Sequence, residues 1–205
     1  MRTSIVGTAF VLACLAVAAG CGGGGSSPST SSTATPTSSP TTVPTGPPST
    51  AAPISTATAS SASVANGGYA VYVNFPASTS GTATMAMSGS TTVGSNPAGI
   101  TPFTTSGSYT TLIYVTFQPS ATVTLPSYPQ FQLQIPAAQA PQGYNFWGAI
   151  YTNDSTFPAG HDAWSPQFLG PASASGQTLY FPAPTTPLTF TGSDYYVFAL
   201  YEVPT

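Results

Sequence analysis

The side chains best suited to chemistry gather late in the chain. Asp154, His161, Asp162 and Trp164, with Asn153 just before them, all fall between Asn153 and Gly176. This is the longest segment between strongly patterned late stretches, and loops carry functional groups more often than strands do. Three readings stand. Trp164 could stack on the apolar face of a sugar, with Asn153, Asp154, His161 and Asp162 as hydrogen-bonding groups for a glycan or another surface ligand. Asn153, Asp154 and Asp162 could offer oxygens to Ca²⁺, but that ion takes six to eight ligands and two carboxylates make a poor start. Or the residues are structural: the acids form turns, while His161 and Trp164 pack the loop down. The structural reading is the favoured one, and no metal or cofactor is expected.

Catalysis finds little footing. Serine is abundant, yet no Gly-x-Ser-x-Gly elbow occurs. His161 and Asp162 are adjacent, and neighbours in the chain do not usually supply the orienting geometry of a triad. A glycosidase-like pair needs two acids across a cleft, and nothing in the sequence sets Asp154 opposite Asp162. One histidine with so few cysteines excludes the usual zinc sets. The expectation is a chain that is not an enzyme.

The other reactive residue is Cys21. Arg2 forms a minimal basic start, Ile5 to Val17 an apolar run, and Ala18-Ala19-Gly20 lead into the cysteine. The run is shorter than the ~20 apolar residues a spanning helix needs, and the order of parts is that of an export signal. The segment resembles the signal and lipobox of bacterial lipoproteins, with Ala18 where leucine is commonest. That resemblance implies removal of residues 1–20, acylation of Cys21 and membrane attachment through it, at the outer membrane or cell surface of a Gram-negative cell. Cys14 lies inside the apolar run, so Cys21 would have no internal disulfide partner. Lipidation accounts for the unpaired thiol. More than one acyl chain is needed for stable anchoring, and lipoprotein processing supplies them.

Charge narrows the partners. Charged residues are 2% of the chain, against ~25% in ordinary globular proteins. Beyond Arg2 there is no Lys or Arg, only Asp154, Asp162, Asp194, Glu202 and His161. Nucleic-acid binding, which needs cations against phosphate, is excluded. So is a basic patch for anionic lipid. With almost nothing to titrate, the domain is expected to keep its fold in strong acid, as suits either an acidic habitat or a neutral Ser/Thr-rich surface.

Composition divides the chain. Residues 21–66 are rich in Gly, Ser, Thr, Pro and Ala, without aromatic or charged side chains. Such a stretch buries too little to offset its ordering entropy, so it reads as a disordered tether. Every aromatic residue except Phe10 lies from Tyr69 onward. Residues 67–205 therefore read as one domain with a real core.

That domain reads as all-β. Period-two or apolar segments run over Ala70–Phe75, Thr82–Met87, Tyr109–Phe117, Thr122–Leu125, Gln130–Ile135, Tyr144–Thr152, Thr178–Phe181, Leu188–Thr191 and Tyr195–Val203. Prolines between them block helices. The expected architecture is a single antiparallel β-sandwich, with barrel closure as the alternative. Phe190 to Leu200 resembles the tyrosine corner of fibronectin type III and other immunoglobulin-like domains. The resemblance implies that the Tyr196 hydroxyl bonds back to the backbone and that Phe190 is the apolar residue before the turn. In those folds another strand follows, a departure here.

The functional expectation is a lipid-anchored, non-catalytic structural or interaction module. The alternative is a module binding glycan or another surface ligand through the 153–176 loop, with a hydrolase a distant third. Strand edges without charges are poorly protected against pairing, so self-association is a further expectation.

Overall fold

The computed structural model describes residues 49–93, 100–103 and 109–205. The described residues form thirteen strands and no helix. β1 (Ser49–Ile54), β4 (Ala83–Ser90), β5 (Thr110–Pro119), β13 (Tyr196–Pro204), β8 (Tyr144–Thr152) and β9 (Ser165–Leu169) lie side by side, in that order, in a six-stranded sheet. A second sheet has the order β10 (Ser173–Ser175), β11 (Thr178–Phe181), β7 (Gln130–Gln134), β3 (Tyr69–Phe75) and β2 (Ser60–Asn66). β12 (Leu188–Phe190) and β6 (Val123–Leu125) form a short ribbon. All strand pairs are antiparallel.

The period-two pattern works as expected. Val71, Val73 and Phe75 point to one side of β3, Met85 and Met87 to one side of β4, and Phe131 and Leu133 to one side of β7; all are buried in a single cluster. That cluster takes residues from both large sheets and from the ribbon. At its middle Phe117 of β5 stacks on Phe131 of β7 at 5.7 Å, and Phe131 meets Phe198 of β13 at 4.8 Å. Burying a side chain of this size contributes about 1.5–3 kcal/mol, so the rings joining the two sheets are a main source of cohesion.

The six-stranded sheet is also covered on its other side. Tyr114, Ala149, Val197, Ala199 and Tyr201 pack there with Ile100 and Phe103, and with the partly buried Trp147, Tyr151 and Trp164. This explains β13, in which every residue from Tyr196 to Glu202 is buried. A strand covered on both faces reads as a continuous apolar run rather than an alternation.

The tether boundary requires a correction. Residues 49–66, assigned to the tether by composition, include β1 and β2, which are edge strands of the two large sheets. Only Ala52, Ile54 and Val64 bring fully buried apolar side chains, too few to stand out among Ser and Thr. Pro53 lacks an N–H for pairing and is tolerated because β1 is at an edge. The supposed junction lies inside a hairpin. Asn66 pairs with Tyr69, and Gly67 and Gly68 between them have φ of 60° and 87°, the left-handed conformations that a tight primed turn requires.

Candidate functional site

The loop after β8 begins with a set of bonds to the turn before β13. Thr152 Oγ1 donates to the Tyr195 carbonyl at 2.6 Å and accepts from the Asp154 N–H at 3.0 Å. Asn153 Oδ1 accepts from the Tyr195 N–H at 2.8 Å, and its Nδ2 donates to Asp194 Oδ1 at 3.1 Å. Both polar atoms of the Asn153 amide group are therefore engaged inside the protein.

Asp154 is buried at 2% exposure. Its Oδ2 accepts from the Tyr196 hydroxyl at 2.6 Å. Its Oδ1 accepts from the Thr156 N–H at 2.8 Å and the Thr156 hydroxyl at 2.7 Å. Burial pushes this carboxyl up, but the bonds from Thr156 and Tyr196 outweigh it and leave the group below its ordinary value. The Tyr196 hydroxyl also accepts from the Thr191 N–H at 2.7 Å. That is the back-bond expected of a tyrosine corner, and Phe190 packs edge-on against the Tyr196 ring at 4.7 Å. Burial and the Asp154 carboxylate together push the phenol far above its usual range.

His161 and Asp162 are exposed. Their side chains meet at 3.1 Å, Nε2 to Oδ2. The backbone around them is tied to β8: the Thr152 N–H donates to the Gly160 carbonyl at 2.8 Å, and the Asp162 N–H to the Thr152 carbonyl at 2.9 Å. Among the described residues no serine hydroxyl bonds to His161. Trp164 is partly buried. Its Nε1 donates to the Thr101 carbonyl at 2.9 Å, and its ring contacts Phe103 at 5.3 Å, Tyr151 at 5.6 Å and Tyr114 at 6.0 Å.

The five residues singled out in this loop therefore do not converge. Asp154 faces inward, Asn153 faces the 194–195 turn, His161 and Asp162 pair with each other, and Trp164 clamps residues 100–103. The calcium set Asn153, Asp154 and Asp162 does not come together, because Asp154 and Asn153 spend their oxygens on internal donors. No group of three metal-ligating side chains occurs among the described residues. Cys21, with residues 1–48, lies outside the described residues.

A different surface presents unspent groups. The outward side chains of the five-stranded sheet fall in transverse rows. One row is Ser173, Tyr180, Gln132, Tyr72 and Ser63, in register across all five strands. Tyr72 and Tyr180 are 43% and 42% exposed, the two most exposed large apolar side chains among the described residues. They flank Gln132 from either side, two strands and thus roughly 10 Å apart. A neighbouring row adds Gln130, Asn74 and Ser61. One shallow groove is lined by Gln130, Gln132, Ser173 and Tyr180, and another by Ser61, Ser63, Tyr72, Asn74 and Gln132. The two grooves share Gln132. Sequence reasoning used the inward parity of these strands to find the core and passed over the outward parity that carries this face.

No family model, curated protein or solved structure matches the chain.

Proposed function

We propose that this protein is a non-catalytic interaction module, displayed at the cell surface by acylation of Cys21. Its folded part is a single immunoglobulin-like sandwich. The observation that carries the non-catalytic reading is the fate of the four carboxylates. Asp154 is spent on Tyr196 and Thr156, Asp194 on Asn153, Asp162 on His161, and Glu202 accepts from Gln139 Nε2 at 3.0 Å. A catalytic acid or base has to be within reach of a substrate proton; Asp154, Asp194 and Glu202 instead tie loops and turns to their neighbours, and the exposed Asp162 pairs with the adjacent His161. The sandwich reading is supported by the core shared between two antiparallel sheets and by the Tyr196 corner. The lipid anchor is supported by the order of residues from Arg2 to Cys21.

Growth of a bacterial host on labelled palmitate tests the display. Label on the wild-type chain, absent from Cys21→Ser together with loss of the membrane-bound pool, is the expected result. An unlabelled wild-type chain, or a Cys21→Ser chain that stays membrane-bound, would reject the anchor.

A further inference from the structure

We infer that the open face of the five-stranded sheet binds a neutral polysaccharide chain laid across its strands, with Tyr72 and Tyr180 as stacking rings and Gln132 between them. The inference rests on the displayed, non-catalytic reading above and adds to it a ligand class and a surface.

The chemistry of the face selects the class. None of the outward residues of β10, β11, β7, β3 and β2 carries a charge. An anionic polymer finds no cation there, and a basic one finds no carboxylate. What the face offers is amides and hydroxyls. Gln and Asn side chains donate and accept at once, as sugar hydroxyls do. Tyr rings add flat apolar surface with a polar tip, which suits the C–H face of a pyranose.

The geometry selects a chain over a globular partner. Tyr72 and Tyr180 stand in one register row at right angles to the strands, with one amide between them. The two grooves meet at Gln132, so together they make a track running across the sheet. With strands ~4.8 Å apart, five strands give a track of roughly 19 Å, long enough for several sugar units. Amides buried in any complex each need a hydrogen-bond partner. A polyol brings those partners with it.

The test passes the full chain in detergent over cellulose, chitin, a β-1,3-glucan and a mannan, with alginate as the anionic control. Retention by at least one neutral glycan and not by alginate is expected. Tyr72→Ala and Tyr180→Ala should each weaken it at least tenfold, and the double variant should abolish it with an unchanged melting temperature. Trp164→Phe should leave it intact. On adding a soluble fragment of the retained glycan, the side-chain amide signals of Gln130 and Gln132 should shift. The inference is overturned if no neutral glycan retains the chain, or if the double variant binds as well as wild type. It is overturned equally if Trp164→Phe alone removes binding, or if the tyrosines prove to be needed for self-association or for a protease-sensitive partner instead. Retention by the purified chain does not depend on Cys21, so failure here leaves the palmitate result standing, and the reverse.

Discussion

In the loop after β8 the polar atoms turn back into the protein, whereas on the outer face of β3, β7 and β11 they point to solvent. The loop holds most of the domain's charged and imidazole groups, and the side chains of Asp154 and Asn153 close five hydrogen bonds. The sheet face holds no carboxylate or cation, and among the described residues no hydrogen bond is made by the side chains of Tyr72, Gln130, Gln132 or Tyr180. In a chain with only four acids, charge is concentrated where irregular backbone needs fixing. The outer sheet face instead presents uncharged groups on regular backbone, where a row of strands sets their spacing without any loop having to be held still.

Substitutions can break this contrast. The largest effect should come from Asp154→Ala. It leaves the buried Tyr196 hydroxyl and the Thr156 turn without their acceptor, at a cost of about 3 kcal/mol, read as a lower urea midpoint, while glycan retention by the folded fraction stays unchanged. If Asp154→Ala instead leaves stability intact, the loop is not braced as described. Trp164→Ala comes next, at roughly 2 kcal/mol, since a partly buried ring loses less than the full cost of a core aromatic. Faster amide exchange in residues 100–103 should accompany it, because the Thr101 carbonyl loses its indole donor.

Acid sharpens the comparison within the buried groups. Asp154 is held below its ordinary value. Its contribution is therefore present above the unfolded carboxyl range and is lost as pH falls through its lowered folded value. Glu202 is pushed up by burial, only partly offset by the bond from Gln139. Its contribution runs the other way: present below the unfolded range, and lost as pH rises through the raised folded value. The two oppose each other, so the wild-type melting temperature should change little between pH 7 and about pH 3. Asp154→Asn should gain relative stability toward acid, and Glu202→Gln should lose it. Parallel curves for all three chains would show that neither group titrates with folding. The smallest effects should come from His161→Ala and Asp162→Ala. Both side chains are exposed, so His161→Ala should stay within about 0.5 kcal/mol by chemical denaturation, and Asp162→Ala, at a φ of 54° that disfavours Ala, within about 1 kcal/mol.

Much of the fold was legible because burial leaves a period. Where one face is open, as in Gln130–Gln134, apolar and polar residues alternate and both the strand and its inward side follow. Where both faces are covered, as in Tyr196–Tyr201, the run is continuously apolar and still reads as a strand. β1 and β2 were hidden because edge strands built from Ser, Ala and Thr bury only three full apolar side chains, and composition alone equates such stretches with tethers. The Gly67-Gly68 pair between Asn66 and Tyr69 was the available signal that a hairpin crossed the assumed boundary. β9 and β10 carry no such pattern: β9 is interrupted by Pro166, and all of β10 is exposed.

The gathering of ionisable side chains in this loop is plain in the sequence, and the Asp154 carboxylate accepts from the Thr156 N–H two residues on, as a turn-forming acid does. Their individual fates were not legible. Nothing in a sequence distance of 42 residues tells that Asp154 meets Tyr196, since side chains that far apart are brought together only by strand order. The Tyr72–Gln132–Tyr180 row was invisible for the same reason. Its three members come from three strands, and a shift of one residue in either pairing would have turned a ring into the core.

By itself, the sequence determined the class of protein: an all-β chain, almost without charge, with no Lys or Arg beyond Arg2 and few ionisable side chains. Those properties depend on composition and on local period, which are additive along the chain. The tertiary structure decided what pairing and register decide. It chose which edge strands close the two sheets, which carboxylate is buried under which hydroxyl, and which polar side chains of separate strands stand in one exposed row. Such relations arise only when distant segments are placed side by side, because hydrogen bonds and ring contacts act over a few ångströms in space whatever the distance along the chain.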